Sequence, residues 1–93
     1  MTPRWTESSA KHGVPRADQV YAVAHATYSV RLLQESVDDG EVWLYIGPAH
    51  EHTDREIEVL INVYFDGREA VMFHAMELGS KFRRYREEDR NGH

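Results

Sequence analysis

Hydrophobic and polar residues alternate with period two along residues 56–64. Ile57, Val59, Ile61 and Val63 hold the odd places, and Glu56, Glu58, Leu60, Asn62 and Tyr64 the even ones. That pattern predicts a β-strand whose odd side chains face the core and whose even face is partly wet. Asp66 and Gly67 follow, the strongest short hairpin signal in the chain. Residues 70–75 then return antiparallel, with Val71 and Phe73 on one face and Met72 and His74 on the other. The period next changes. Leu78, Phe82 and Tyr85 fall at i, i+4 and i+7, so a C-terminal helix packs one narrow stripe against the sheet. Gly79 weakens its first turn by up to about 1 kcal/mol relative to alanine.

Upstream, Pro3 and Trp5 suggest an extended segment suited to a sheet edge, where proline is tolerated. Thr6 or Ser8 caps a short helix that carries Ala10, Lys11 and His12, and Gly13 ends it. Pro15 opens a second helix, since its missing N–H has no partner in a first turn. Ala17, Val20, Tyr21 and Ala24 mark its apolar face, with Asp18 and Gln19 pointing away. Val30 and Leu32 share one side of a strand, and Asp38, Asp39 and Gly40 make a turn. Residues 42–46 are apolar on both faces, which predicts a central strand. Gly47 and Pro48 stop it, and a polar loop with His50, Glu51 and His52 follows.

These elements add up to an α+β fold. An antiparallel four- to five-stranded sheet carries two N-terminal helices and one C-terminal helix. The 93 residues make one domain, with residues 1–6 and 88–93 expected to fray. The chain has no cysteine, so thiolate chemistry is absent and a reducing compartment fits. No apolar run approaches the roughly 20 residues that span a bilayer, and the first residues lack the apolar region of a signal peptide. The expectation is a cytoplasmic protein with no membrane partner.

A net charge of −5 counts against a general nucleic-acid binder, which carries a positive footprint. The charge is segregated, however. Acidic residues crowd the middle, from Glu35 to Glu58, and Lys81, Arg83, Arg84 and Arg86 crowd the last helix. That basic cluster reads either as a solvated helix end balanced by Glu87, Glu88 and Asp89 or as a face for phosphate. Lys11 and His12 read either as a helix-dipole complement or as a phosphate contact beside an acid–base group. His74 reads either as a hydrogen-bonded rim residue or as an acid–base group beside the last helix. His50 and His52 have the spacing of half a metal site, but a zinc site needs three or four ligands in closed geometry, and a solvated loop is the simpler reading. No metal or cofactor is expected.

A short Arg-Trp-Thr element, the segment Lys11-His12-Gly13-Val14, an amphipathic helix, four strands and a basic helix holding Arg83-Arg84-Tyr85-Arg86-Glu87 follow in that order. This layout resembles the BrnT-type toxins of the RelE/ParE toxin–antitoxin superfamily, from about Trp5 to Glu87. The resemblance implies a RelE-like sheet flanked by helices, metal-independent cleavage of mRNA and neutralisation by a cognate antitoxin. It places Lys11 and His12 on that family's Lys-His-Gly segment and Lys81, Arg84 and Tyr85 in its basic C-terminal helix. For RNA cleavage His12 or His74 is then expected to transfer protons, with Lys11, Lys81 and Arg84 binding phosphate and Tyr85 stacking on a base or closing the site. The sequence departs where that family carries arginines. Val71 and Met76 stand there, with Glu77 after them, so sheet cations that would steady a pentavalent phosphate are missing. The alternative expectation is a non-catalytic interaction domain that retains the fold.

Overall fold

A computed structural model describes residues 3–35 and 38–90. Strands β1 (Arg4–Trp5), β2 (Tyr28–Arg31), β3 (Glu41–Pro48), β4 (Glu56–Val63) and β5 (Val71–Glu77) form one sheet in the order β1-β5-β4-β3-β2. Helix α1 (Arg16–Ala24) lies on one face and helix α2 (Ser80–Arg90) on the other. Two short 3-10 turns, Glu7–Ala10 and Leu33–Glu35, flank β1 and β2. The protein is therefore α+β. Among the described residues no helix is long and apolar enough to cross a membrane.

The sheet is mixed, in contrast to the all-antiparallel expectation. β2, β3, β4 and β5 run antiparallel, but β1 joins the far edge parallel to β5. Arg4 N–H donates to the Ala70 carbonyl (2.8 Å) and Thr6 N–H to the Met72 carbonyl (3.1 Å). Since β1 and β2 are opposite edges, the chain between them must cross a face of the sheet, and α1 lies on that crossing. The first of the two expected N-terminal helices is only a four-residue 3-10 turn. So short a segment cannot repay the cost of nucleating an α-helix. Gly13, at φ +75°, redirects the chain after it.

β3 is an interior strand, between β4 and β2, as expected; β4 is the middle one, and its residues 57–62 are all buried. Ile57, Val59 and Ile61 pack with Ala22, Met72 and Ala75 under α1. Leu60 packs with Val42, Leu44, Ile46, Leu78 and Phe82 under α2. Glu58 and Leu60 on the even face of β4 are thus dry, because the Leu78–Phe82 segment covers them. Leu78 and Phe82 carry that contact, whereas Tyr85 is 41% exposed and stands outside the core.

α1 is turned relative to the expected stripe. Gln19 and Ala22 are buried; Ala17, Val20 and Ala24 are exposed. The reason is a polar anchor. Trp5 Nε1–H donates to Gln19 Oε1 (3.1 Å), and Gln19 Nε2 donates to the carbonyls of Ser9 (3.2 Å) and Val14 (3.0 Å). One buried amide thereby satisfies three groups of the 5–14 segment, which outweighs the placement of Val20. Gly47 lets the helix sit close: a Cβ there would fall inside contact distance of the Ala22 carbonyl oxygen.

At the C-terminal end α2 runs to Arg90. Arg86 grips Glu56 through two nitrogens, at 2.7 and 3.3 Å, and Tyr28 O–H donates to Asp89 (2.9 Å). Residues 91–93, like 1 and 2, lie outside the described residues, so fraying there stays an expectation.

Candidate functional site

The ladder between β4 and β5 slips by one residue. Leu60 pairs with His74, but Ile61 pairs with Met72, leaving Phe73 unpaired. Such a bulge re-aims the side chains beyond it. Strict alternation placed His74 with Met72. Instead Met72 packs under α1, Phe73 packs with the α2-side core, and His74 opposes Leu60 on the α2 side.

There His74 meets Glu58. The Glu58 carboxylate, 4% exposed, sits inside the otherwise apolar run 57–61 of β4. Its Oε2 lies 2.8 Å from His74 Nε2, and its Oε1 accepts the Gly79 N–H at 2.8 Å. Gly79 directly precedes α2, so the carboxylate also lies at the positive end of that helix. Both oxygens are engaged, which is the condition for keeping such a group inside.

The first 3-10 turn brings the second histidine. It runs past the edge of β5, held where Ser8 Oγ–H donates to the Phe73 carbonyl (2.6 Å) and Ser9 N–H to the Thr6 carbonyl. Lys11 and His12 follow, both exposed. The His12 ring stands edge-on to the His74 ring with centroids 5.8 Å apart. Two histidines separated by 62 residues, 74 less 12, therefore adjoin.

A groove of about 420 Å³ opens beside this pair, lined among others by Glu58, Leu60, His74, Met76, Lys81 and Phe82. Its floor is apolar and its rim carries His74 and Lys81. Lys81 Nζ contacts Glu35 (3.2 Å) and lies 5.0 Å from the Phe82 ring centre. That ion pair is exposed and worth little, so the ammonium can turn to another anion. Tyr85 lines a second groove of about 470 Å³ with Leu33 and Lys81, on the side of the Leu33–Glu35 turn. Arg84 is exposed and lines neither groove.

The six sequence-predicted residues thus separate into two groups. His12 and His74 adjoin, with Lys11 next to His12 and Lys81 on the groove of His74. Tyr85 and Arg84 stand farther along α2. Arg86, part of the expected basic cluster, is committed to Glu56, which raises its pKa further above the usual arginine value. Sequence reasoning missed Glu58, reading it as a wet residue. One signal was present: a charge inside an apolar run from Ile57 to Ile61. His50 and His52 stay exposed, with His52 against Glu51 at 3.3 Å. Among the described residues no cluster of three or more histidine, aspartate or glutamate side chains is placed to hold a metal ion.

The chain was compared with known protein families, curated proteins and solved structures, and none of the three yields a match.

Proposed function

We propose that the protein is a cytoplasmic RNA endonuclease acting without a metal, the toxin component of a type II toxin–antitoxin pair with a RelE-like fold. The observation that supports this reading most is the adjoining pair His12 and His74. A base and an acid within reach of one phosphodiester are the minimum equipment for cleaving RNA by its own 2′-hydroxyl. One histidine takes the 2′-proton as the 2′-oxygen attacks phosphorus. The other gives a proton to the 5′-oxygen as the P–O5′ bond breaks, leaving a 2′,3′-cyclic phosphate. Lys11, next to His12 in the chain, and Lys81, on the groove of His74, would hold the phosphate electrostatically. Arg84 and Tyr85 extend the path, with the Tyr85 ring offered to a base. The apolar floor of Leu60, Met76 and Phe82 suits an unstacked base, so single-stranded mRNA is the substrate. A cognate antitoxin is the partner that silences the site.

A second reading, a non-catalytic interaction domain of the same fold, draws on the surface beyond that groove. Leu33 is 72% exposed and Tyr85 is half exposed around the second groove, and the sheet lacks arginines at Val71 and Met76. Induced expression separates the two. The nuclease reading expects growth arrest and cleaved messages, both relieved by His12→Ala. Full growth with intact messages would leave only the interaction domain.

A further inference from the structure

Glu58 is not a rim carboxylate that happens to touch a histidine. It is buried, it is the one charged residue of β4 inside the run 57–61, and each of its oxygens has a separate task. We propose that Glu58 is a positioning residue that fixes the tautomer of His74, so that the Nδ1 nitrogen is the one that exchanges a proton with substrate. The proposal rests on the nuclease reading for its consequence, but its chemistry is independent of it.

Donor and acceptor matching sets the ring proton. As a carboxylate, Glu58 offers only acceptors. Oε1 takes the Gly79 N–H, whose proton cannot move. Oε2, at 2.8 Å from Nε2, therefore requires the imidazole proton on Nε2. Neutral imidazole carries one N–H, so Nδ1 is left with a lone pair and can act as a base, or as an acid once it has gained a proton. The backbone contact also makes the site testable by a single-atom change. In Glu58→Gln the Gly79 N–H would still demand an oxygen, which turns the amide NH₂ toward His74. Nε2 must then accept, and the ring proton is driven to Nδ1. The helix contact survives while the histidine presents the wrong nitrogen. In a catalytic triad, the corresponding carboxylate-to-amide change leaves geometry intact and lowers kcat by about 10⁴-fold through the wrong tautomer.

The test is a ¹⁵N-resolved NMR spectrum of the histidine rings at a pH where His74 is neutral, recorded on the wild type and on Glu58→Gln. The His74 signals, assigned with His74→Gln, should show the proton on Nε2 in the wild type and on Nδ1 in the variant. With cleavable RNA, kcat should fall by at least about 100-fold while KM changes less than about threefold. A wild-type ring protonated on Nδ1, or a tautomer unchanged in Glu58→Gln, would overturn the proposal. If the spectra behave as expected and the wild type leaves RNA intact, the positioning stands and the nuclease reading alone falls. A Glu58→Gln protein that loses its fold passes the decision to the wild-type spectrum.

Discussion

Replacing Gln19 by alanine removes the only buried amide of α1 and strands three groups at once. Trp5 Nε1–H loses its acceptor, and the carbonyls of Ser9 and Val14 lose their donor. Neutral hydrogen bonds of this kind contribute about 1 kcal/mol each, which gives about 3 kcal/mol for the set. A chain of 93 residues has a total stability of roughly 5–14 kcal/mol at the usual 0.05–0.15 kcal/mol per residue. The loss is therefore a substantial share, equivalent to a Tm lower by about 12–24 °C for a domain of this size. Urea unfolding followed by circular dichroism measures it, with Trp5 fluorescence as a local probe. Gln19→Glu is the sharper companion, since it sets a second acceptor against the Ser9 and Val14 carbonyls and should cost at least as much. A loss below about 1 kcal/mol for both variants would refute the view that this amide, and not an apolar stripe, sets the rotation of α1. Because the same carbonyls belong to the segment that carries His12, any RNA cleavage should weaken along with stability.

Gly47→Ala should destabilise by about 3 kcal/mol, the upper end for overpacking, because the new methyl meets the backbone of α1 and not a movable side chain; thermal melting checks it. Tyr28, partly buried and hydrogen-bonded to Asp89, is pushed up to about 12. A raised folded-state value means that its stabilisation is whole below the ordinary tyrosine value and is lost as pH rises through about 10 to about 12. Alkaline absorbance titration should show this late tyrosine, and Tyr28→Phe should delete it. At the other end of the sheet, the Tyr64 hydroxyl and the Gly40 N–H hold the Asp38 carboxyl below its usual range. Its contribution is present above the unfolded value and is lost as pH falls through the folded one, so Asp38→Asn should flatten the acid limb of a stability–pH curve.

Much of the fold could be read from the residues because it rests on local signals. The Asp66–Gly67 signal, the alternation of β4 and the Leu78–Phe82 spacing each act within a few residues; they mark the β4–β5 connection, the strand and the last helix, although the even face of β4 is buried and Leu78 precedes α2. What escaped depends on distant partners. Val20 looked like core, yet Gln19 is inside because Trp5, Ser9 and Val14 need its amide. Glu58 looked wet, yet the Leu78–Phe82 segment covers it and both its oxygens are bonded. The face of His74 was misjudged because a bulge adds one residue to a period of two, and nothing in Val71 to Ala75 announces it. Tyr28 and Arg86 tie down a helical end whose composition alone predicts fraying. The histidines at 12 and 74 were legible as candidates; their proximity was not, since it requires the parallel placement of β1 beside β5.

The most direct measurement is cleavage of a single-stranded RNA by the purified protein in excess EDTA, with the product ends analysed. The account predicts fragments ending in a 2′,3′-cyclic phosphate, abolished by His74→Ala and by His12→Ala. Intact RNA under these conditions, or cleavage that both variants retain, would contradict it.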